Sequence, residues 1–133
     1  MPISDIYVVQ YLLQATQAAQ DPIVWQEKGC GHIADFRGIR IELDRVPSRT
    51  HSRLYITLSR AWEEVCVEEP LNTGLFRERY KDDDERELAR LMKELATTIG
   101  RQCATRRKTN LELGELVREG LYRRLVGVSG TEA

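Results

Sequence analysis

A chain of 133 residues, 41% hydrophobic and 31% charged, has the balance of a globular protein and is long enough to bury a core without disulfide or metal staples. Its 20 basic and 21 acidic side chains nearly cancel to a net charge of -1, which excludes a global attraction to polyanions or membrane surfaces. No apolar run approaches the roughly 18 residues of a spanning helix, and an odd count of three widely spaced cysteines argues against a disulfide framework and suits a reducing cytoplasm.

The N-terminus has no basic stretch ahead of an apolar core, so no secretory signal is expected. Ser4 and Asp5 can cap a first helix whose apolar positions Ile6, Val9, Leu13 and Thr16 recur at helical spacing. Tyr7, Val8, Tyr11 and Leu12 widen that stripe, which implies contact with more than one neighbour. Asp21-Pro22 is the expected end, because proline restricts the residue before it. Ile23-Val24-Trp25 reads as an extended lead-in, and Gly29-Cys30-Gly31 as a hinge.

From Gly31 to Glu69 the pattern is that of an antiparallel meander. Ile39, Ile41 and Leu43 alternate with Arg40, Glu42 and Asp44, and Leu54, Ile56 and Leu58 alternate with Tyr55, Thr57 and Ser59. A period of two with one wet face suits a sheet covered on one side, so Ile41 and Ile56 should be buried and Arg40 and Thr57 at least half-exposed. Arg37-Gly38 is a tight hairpin turn after a strand over 33–36, since glycine accepts the positive φ it requires. A long polar connection is expected from Val46 to Ser52, around Pro47, and a short turn from Ala61 to Glu64 leads to a last strand at Val65-Cys66-Val67.

Beyond the sheet, Glu69 to Gly74 is a linker by composition, and Leu75 to Tyr80 is expected to form a short helical turn. A second helix starts near Asp82, with Glu85 three residues past the cap and Leu88, Leu91, Met92, Leu95 and Ile99 as its buried stripe. Gly100 marks its expected stop, with a run on to Ala104 left open. Thr109 or Asn110 then caps a third helix carrying Leu113, Leu116, Val117, Leu121 and Leu125 on one face. The domain division that follows is one α+β domain over 1–127 and a flexible tail over 128–133.

The order of an N-terminal helix, Val24-Trp25-Gln26, the turn Arg37-Gly38-Ile39, the strand Leu54 to Leu58 and the following Glu87-Leu88-Ala89-Arg90-Leu91 resembles a class of small uncharacterised bacterial proteins. The likeness covers roughly residues 6 to 95 and rests on pattern. That class has no agreed activity, so the resemblance implies a fold and no function.

Candidate chemistry is sparse. Cys30 and His32 form a Cys-x-His pair that Cys66 could join to hold zinc, yet a structural site wants four ligands and His51 is the only other histidine. The simpler reading is small thiols in packing. A Cys/His nucleophile would need Cys30, Cys66 or Cys103 beside a histidine, and no signature surrounds any of them. Glu63, Glu64, Glu68 and Glu69 with Asp82 to Glu85 could perform acid/base or cation chemistry, but capping and a solvated edge account for them. An RNA-binding sheet is weakly supported, because only Tyr55 could stack a base among Arg40, Glu42, Asp44, Thr57 and Ser59.

The clearest electrostatic feature is a segregation of charge. Ten acids and four basic residues lie between Trp62 and Glu87, whereas seven basic residues and three acids lie between Arg101 and Val126. Arg101, Arg106, Arg107, Lys108, Arg123 and Arg124 are therefore candidates to contact phosphates or an acidic partner. The overall expectation is an α+β fold: an N-terminal helix, a three- to four-stranded antiparallel meander and two C-terminal helices packed on one sheet face. The expected function is a non-enzymatic interaction or regulatory module of a bacterial cytoplasm, bound to a protein partner or to itself as a homodimer. Nucleic-acid binding through 101–126 is the alternative and an uncharacterised enzyme the third reading. Neither cofactor, metal nor membrane is implied.

Overall fold

The computed structural model describes residues 4–47, 52–74 and 77–127. The fold is α+β, with helix α1 (Asp5–Gln17), strands β1 (Gln26–Lys28), β2 (Gly31–Phe36), β3 (Ile39–Pro47), β4 (Ser52–Arg60) and β5 (Glu63–Glu68), and helix α2 (Asp83–Leu125). Backbone contacts divide the chain into a first unit, Met1–Gln102, and a second, Cys103–Ala133. The expected tail over 128–133 lies outside the described residues.

The five strands form one antiparallel sheet in the order β1-β2-β3-β4-β5. Alternation sets its register: Ile41 lies opposite Leu58 and Leu43 opposite Ile56, with Ala34, Val65 and Val67 continuing the same rows. Ile41, Leu43, Leu54, Ile56 and Val67 are buried, while Arg40 is exposed and Thr57 half-buried, as the period of two requires. Arg37 and Gly38 both have positive φ, 51° and 80°, the pairing of a two-residue hairpin whose twist matches its strands. Gly31 is needed for a different reason: a Cβ there would stand 2.5 Å from the Leu43 carbonyl oxygen of the neighbouring strand.

The sheet has one strand more than the three or four expected. Gln26–Lys28 pairs with Gly31–Ile33, turning the supposed hinge at Gly29-Cys30 into a hairpin. All three of its residues are exposed, so no apolar alternation announces it. The connection expected over 46–52 is also shorter, since Val46 pairs with Arg53 and Pro47 with Ser52. Pro47 is tolerated because it ends the ladder; residues 48–51, His51 among them, lie outside the described residues.

Helix α1 starts where expected, with the Ser4 hydroxyl accepting from the Tyr7 amide, but stops at Gln17 rather than at Asp21-Pro22. Tertiary burial explains the early stop. The chain reverses so that the Ile23 amide donates to the Ala15 carbonyl, which places Ile23 and Trp25 fully in the core. Burying two large side chains outweighs one more helical turn, since each contributes about 1.5–3 kcal/mol. Trp25 Nε1 donates to Thr16 Oγ1 at 3.0 Å, and the Gln102 amide clamps the segment by accepting from the Trp25 amide (2.8 Å) and donating to the Ile23 carbonyl (2.7 Å).

No helical turn forms over 77–80: Asn72 Oδ1 accepts from the Arg79 amide and the Arg79 carbonyl accepts from Thr73, so the loop uses the groups a helix would need. Residues 75–76 lie outside the described residues. Helix α2 begins as expected, with the Glu85 amide donating to Asp82 Oδ1 and Glu85 Oε1 accepting from the Lys81 amide.

The expectation of two C-terminal helices is corrected. A single 43-residue helix runs through Gly100, Thr109 and Asn110. An interior glycine costs only about 1 kcal/mol relative to alanine and does not break a helix. Thr109, expected as a cap, instead donates its hydroxyl to the Thr105 carbonyl one turn earlier. The helix ends at Leu125, and Gly127, with a φ of 77°, closes the turn that follows.

Candidate functional site

The buried face of the sheet is not covered evenly. Its central row, Leu43, Ile56 and Val67, is buried, but towards the β2–β3 and β4–β5 turns the cover thins. There α1 contributes Tyr7, Val8, Tyr11 and Leu12, and the sheet contributes Phe36, Ile39, Ile41 and Leu58, to walls around a groove of about 430 Å³. Tyr7, Tyr11 and Ile39 are large apolar side chains left exposed at its rim. Val65, opposite Leu58 and 56% exposed, extends the apolar surface onto β5. Trp62, in the β4–β5 turn at the same end of the sheet, is 90% exposed.

Arg37 supplies the groove's charge. Its turn conformation brings Nη1 to the Tyr11 hydroxyl at 3.2 Å and the guanidinium 4.8 Å from the Phe36 ring centroid. The lining thus offers aliphatic and aromatic carbon, two phenol groups and one guanidinium. Among the described residues that line it there is no carboxylate, imidazole or thiol, the groups that move protons or attack near neutral pH. Its size falls in the range of roughly 300–1,000 Å³ typical of binding clefts.

Two further positions gain roles that the sequence reading did not assign. Glu69, taken as part of a solvated edge, is buried. Its backbone amide donates to the Leu54 carbonyl at 2.8 Å and its Oε1 accepts from the Leu54 amide at 3.1 Å, so the side chain continues the ladder past β5. Arg53 donates twice to the Glu69 carbonyl, and Lys93 approaches Oε2 at 4.0 Å. The Gln102 clamp likewise had no local signal, because an amide within a helical pattern reads as surface. The groove itself was half-visible: Tyr7 and Tyr11 widened the α1 stripe, but nothing local joins them to Phe36 and Ile39.

Cys66 does not join Cys30 and His32. Cys30 sits exposed in the β1–β2 turn and His32 is half-buried on β2. Cys66 lies three strands away on β5 and, through Thr57, Glu42 and Ile33, belongs to the opposite face of the sheet. Cys103 is buried.

The basic candidates are all on α2 rather than in a connection. Arg101, in the first unit, is exposed. In the second unit Arg106 is half-buried and Arg107, Lys108, Arg123 and Arg124 are exposed. Consecutive helical residues point roughly 100° apart, so Arg106, Arg107 and Lys108 fan around the helix instead of gathering on one phosphate. Arg123 Nη2 is held by Glu119 at 2.6 Å. Earlier on α2, Arg90 bridges Glu87 and Glu94; its hydrogen bond holds the Glu87 carboxyl below the usual range, and Glu87 raises Arg90 in turn. Comparison with protein-family models, curated proteins and solved structures returns no match.

Proposed function

We propose that the protein is a non-enzymatic interaction module of a bacterial cytoplasm whose groove between α1 and the sheet receives the apolar face of a partner protein's segment. The observation that carries this reading is the lining of the groove: carbon walls with phenol and guanidinium groups at the rim, a composition that binds and orients. Aromatic and arginine side chains around a desolvated centre are the residues that dominate protein–protein binding energy. Exposed Trp62 and Val65 enlarge the contact surface beyond the groove itself.

Affinity capture from the source organism tests the proposal, comparing the full chain with Tyr11→Asp and Ile39→Asp. Both positions are exposed enough to accept the change without unfolding the core. The expected outcome is a protein retained by the wild type and lost from both variants. An identical retained set for all three chains contradicts it.

Nucleic-acid binding through the second unit is the second reading, supported by the exposure of Arg107, Lys108 and Arg124 on α2. Titrating labelled DNA and RNA at two salt concentrations tests it, because each phosphate contact contributes about 0.9 to the salt slope. Replacing Arg106, Arg107 and Lys108 together by alanine should flatten that slope if this reading holds; salt-insensitive or absent binding removes it.

A further inference from the structure

The two edges of the sheet are unlike. At one, β1 is three residues long and its Lys28 reaches across to Glu42 at 3.6 Å. At the other, β5 runs for six residues, five of them exposed, with Val67 anchored in the core. A long open edge is a template for a further strand, and sheets guard against unwanted pairing by shortening the edge or charging it.

The phase of the ladder shows which backbone groups this edge offers. The Glu69 amide donates to the Leu54 carbonyl, and those two residues continue the register that sets Tyr55 opposite Glu68. Antiparallel partners bond at every second residue, so Val67, Val65 and Glu63 also face β4. The amides and carbonyls of Glu64, Cys66 and Glu68 then point away from the sheet. Among the described residues no backbone group bonds to them from that side. Donors and acceptors therefore alternate at strand spacing along an exposed edge, a pattern that another extended polypeptide matches.

The side chains say which polypeptide. Glu64, Cys66 and Glu68 share one sheet face, and Val65 and Val67 lie on the other. Glu68 is 3.7 Å from Arg53, whereas Glu64 has no ion pair among the described residues. A second β5 laid antiparallel, with Cys66 opposite Cys66, would set Glu64 against Glu68 twice. Like charges directly opposite one another destabilise a sheet, so the acids disfavour a second copy and favour a strand with lysine or arginine at those places. On the other face Val65, 56% exposed, is left for an aliphatic side chain to cover. We infer that the β5 edge takes an added strand from a partner protein, an extended segment with basic residues opposite Glu64 and Glu68 and aliphatic ones beside Val65 and Val67. The edge and the groove are separate surfaces, so this pairing holds whatever the groove receives.

Nuclear magnetic resonance of the full chain, titrated with the peptide acetyl-Thr-Lys-Val-Thr-Val-Lys-Thr-amide, tests the inference. The amides of Glu64, Cys66 and Glu68 should shift saturably and exchange several-fold more slowly, while those of Val65 and Val67, already bonded to β4, keep their rates. A version N-methylated at the central threonine and both lysines keeps the charge but lacks the donors, and should protect none of the three. Glu64→Lys should weaken binding of the basic peptide several-fold and improve that of a version with glutamate in place of both lysines. No protection of the three amides at saturating peptide overturns the inference. So does equal protection by the N-methylated version, which would reduce the contact to charge attraction, or equal binding of the acidic one. Protection that grows with protein concentration in the absence of peptide assigns the edge to a second copy and overturns it too.

Discussion

Two stretches of α2 carry the same kind of apolar stripe and treat it in opposite ways. Leu88, Leu91, Met92, Leu95 and Ile99 are at most 9% exposed, whereas Leu113, Leu116, Val117, Leu121 and Leu125 are at least 55% exposed. Helical periodicity therefore says that a face wants cover and does not say what covers it. In the first stretch the side chains are buried within their own unit, where Gln102 ties the helix to the Ile23–Trp25 segment. In the second the aliphatic side chains stand exposed.

The sharpest way to break this comparison is to truncate one leucine in each stretch. Leu95→Ala should cost about 2–5 kcal/mol, the range for a large side chain removed from a packed core, and Ile41→Ala on the sheet should fall in the same range. Chemical denaturation measures both. A loss under about 0.5 kcal/mol at either site, the size expected of a surface change, would mean that the residue is not packed as described.

The second test addresses how the first stretch is fastened. Gln102→Ala leaves the Trp25 amide and the Ile23 carbonyl without the partner they now share. An unsatisfied buried group costs about 1–3 kcal/mol, and the same denaturation experiment should show a loss of that size. No loss would assign those two groups to water.

Smaller still is the effect at Gly100, inside the helix with nothing within 4 Å of an added Cβ. Gly100→Ala should stabilise the protein by roughly 0.5–1 kcal/mol, because alanine gives up less backbone freedom on folding. Destabilisation would indicate that the helix bends or breaks there. Smallest of all, Leu113→Ala should change stability by less than about 0.5 kcal/mol, the size expected at an exposed position.

Much of the fold was legible because burial imposes strict periods. Ile39 to Asp44 and Leu54 to Ser59 alternate cleanly, and a register slip by one residue would turn every aliphatic side chain to water. Asp82 and Glu85 likewise identified the start of α2, where Asp82 accepts from the Glu85 amide. What escaped were features whose cause is not local. β1 has three exposed polar residues and exists because it pairs with β2. Gly100, Thr109 and Asn110 resembled punctuation, but their combined cost is small against a helix that is otherwise continuous. The groove needed Tyr7 and Tyr11 to meet Phe36 and Ile39 across roughly 25 to 30 residues of chain, a proximity that only the folded sheet creates. Glu69 was misread for the same reason, since its carboxylate serves a strand fifteen residues earlier.

Amide hydrogen exchange tests most directly the claim that one stripe is packed within its own unit while the other is exposed. Amides from Leu88 to Ile99 should exchange slowly and those from Leu111 to Leu125 rapidly. Protection of the later stretch equal to that of the earlier one, or rapid exchange in both stretches, would contradict the account.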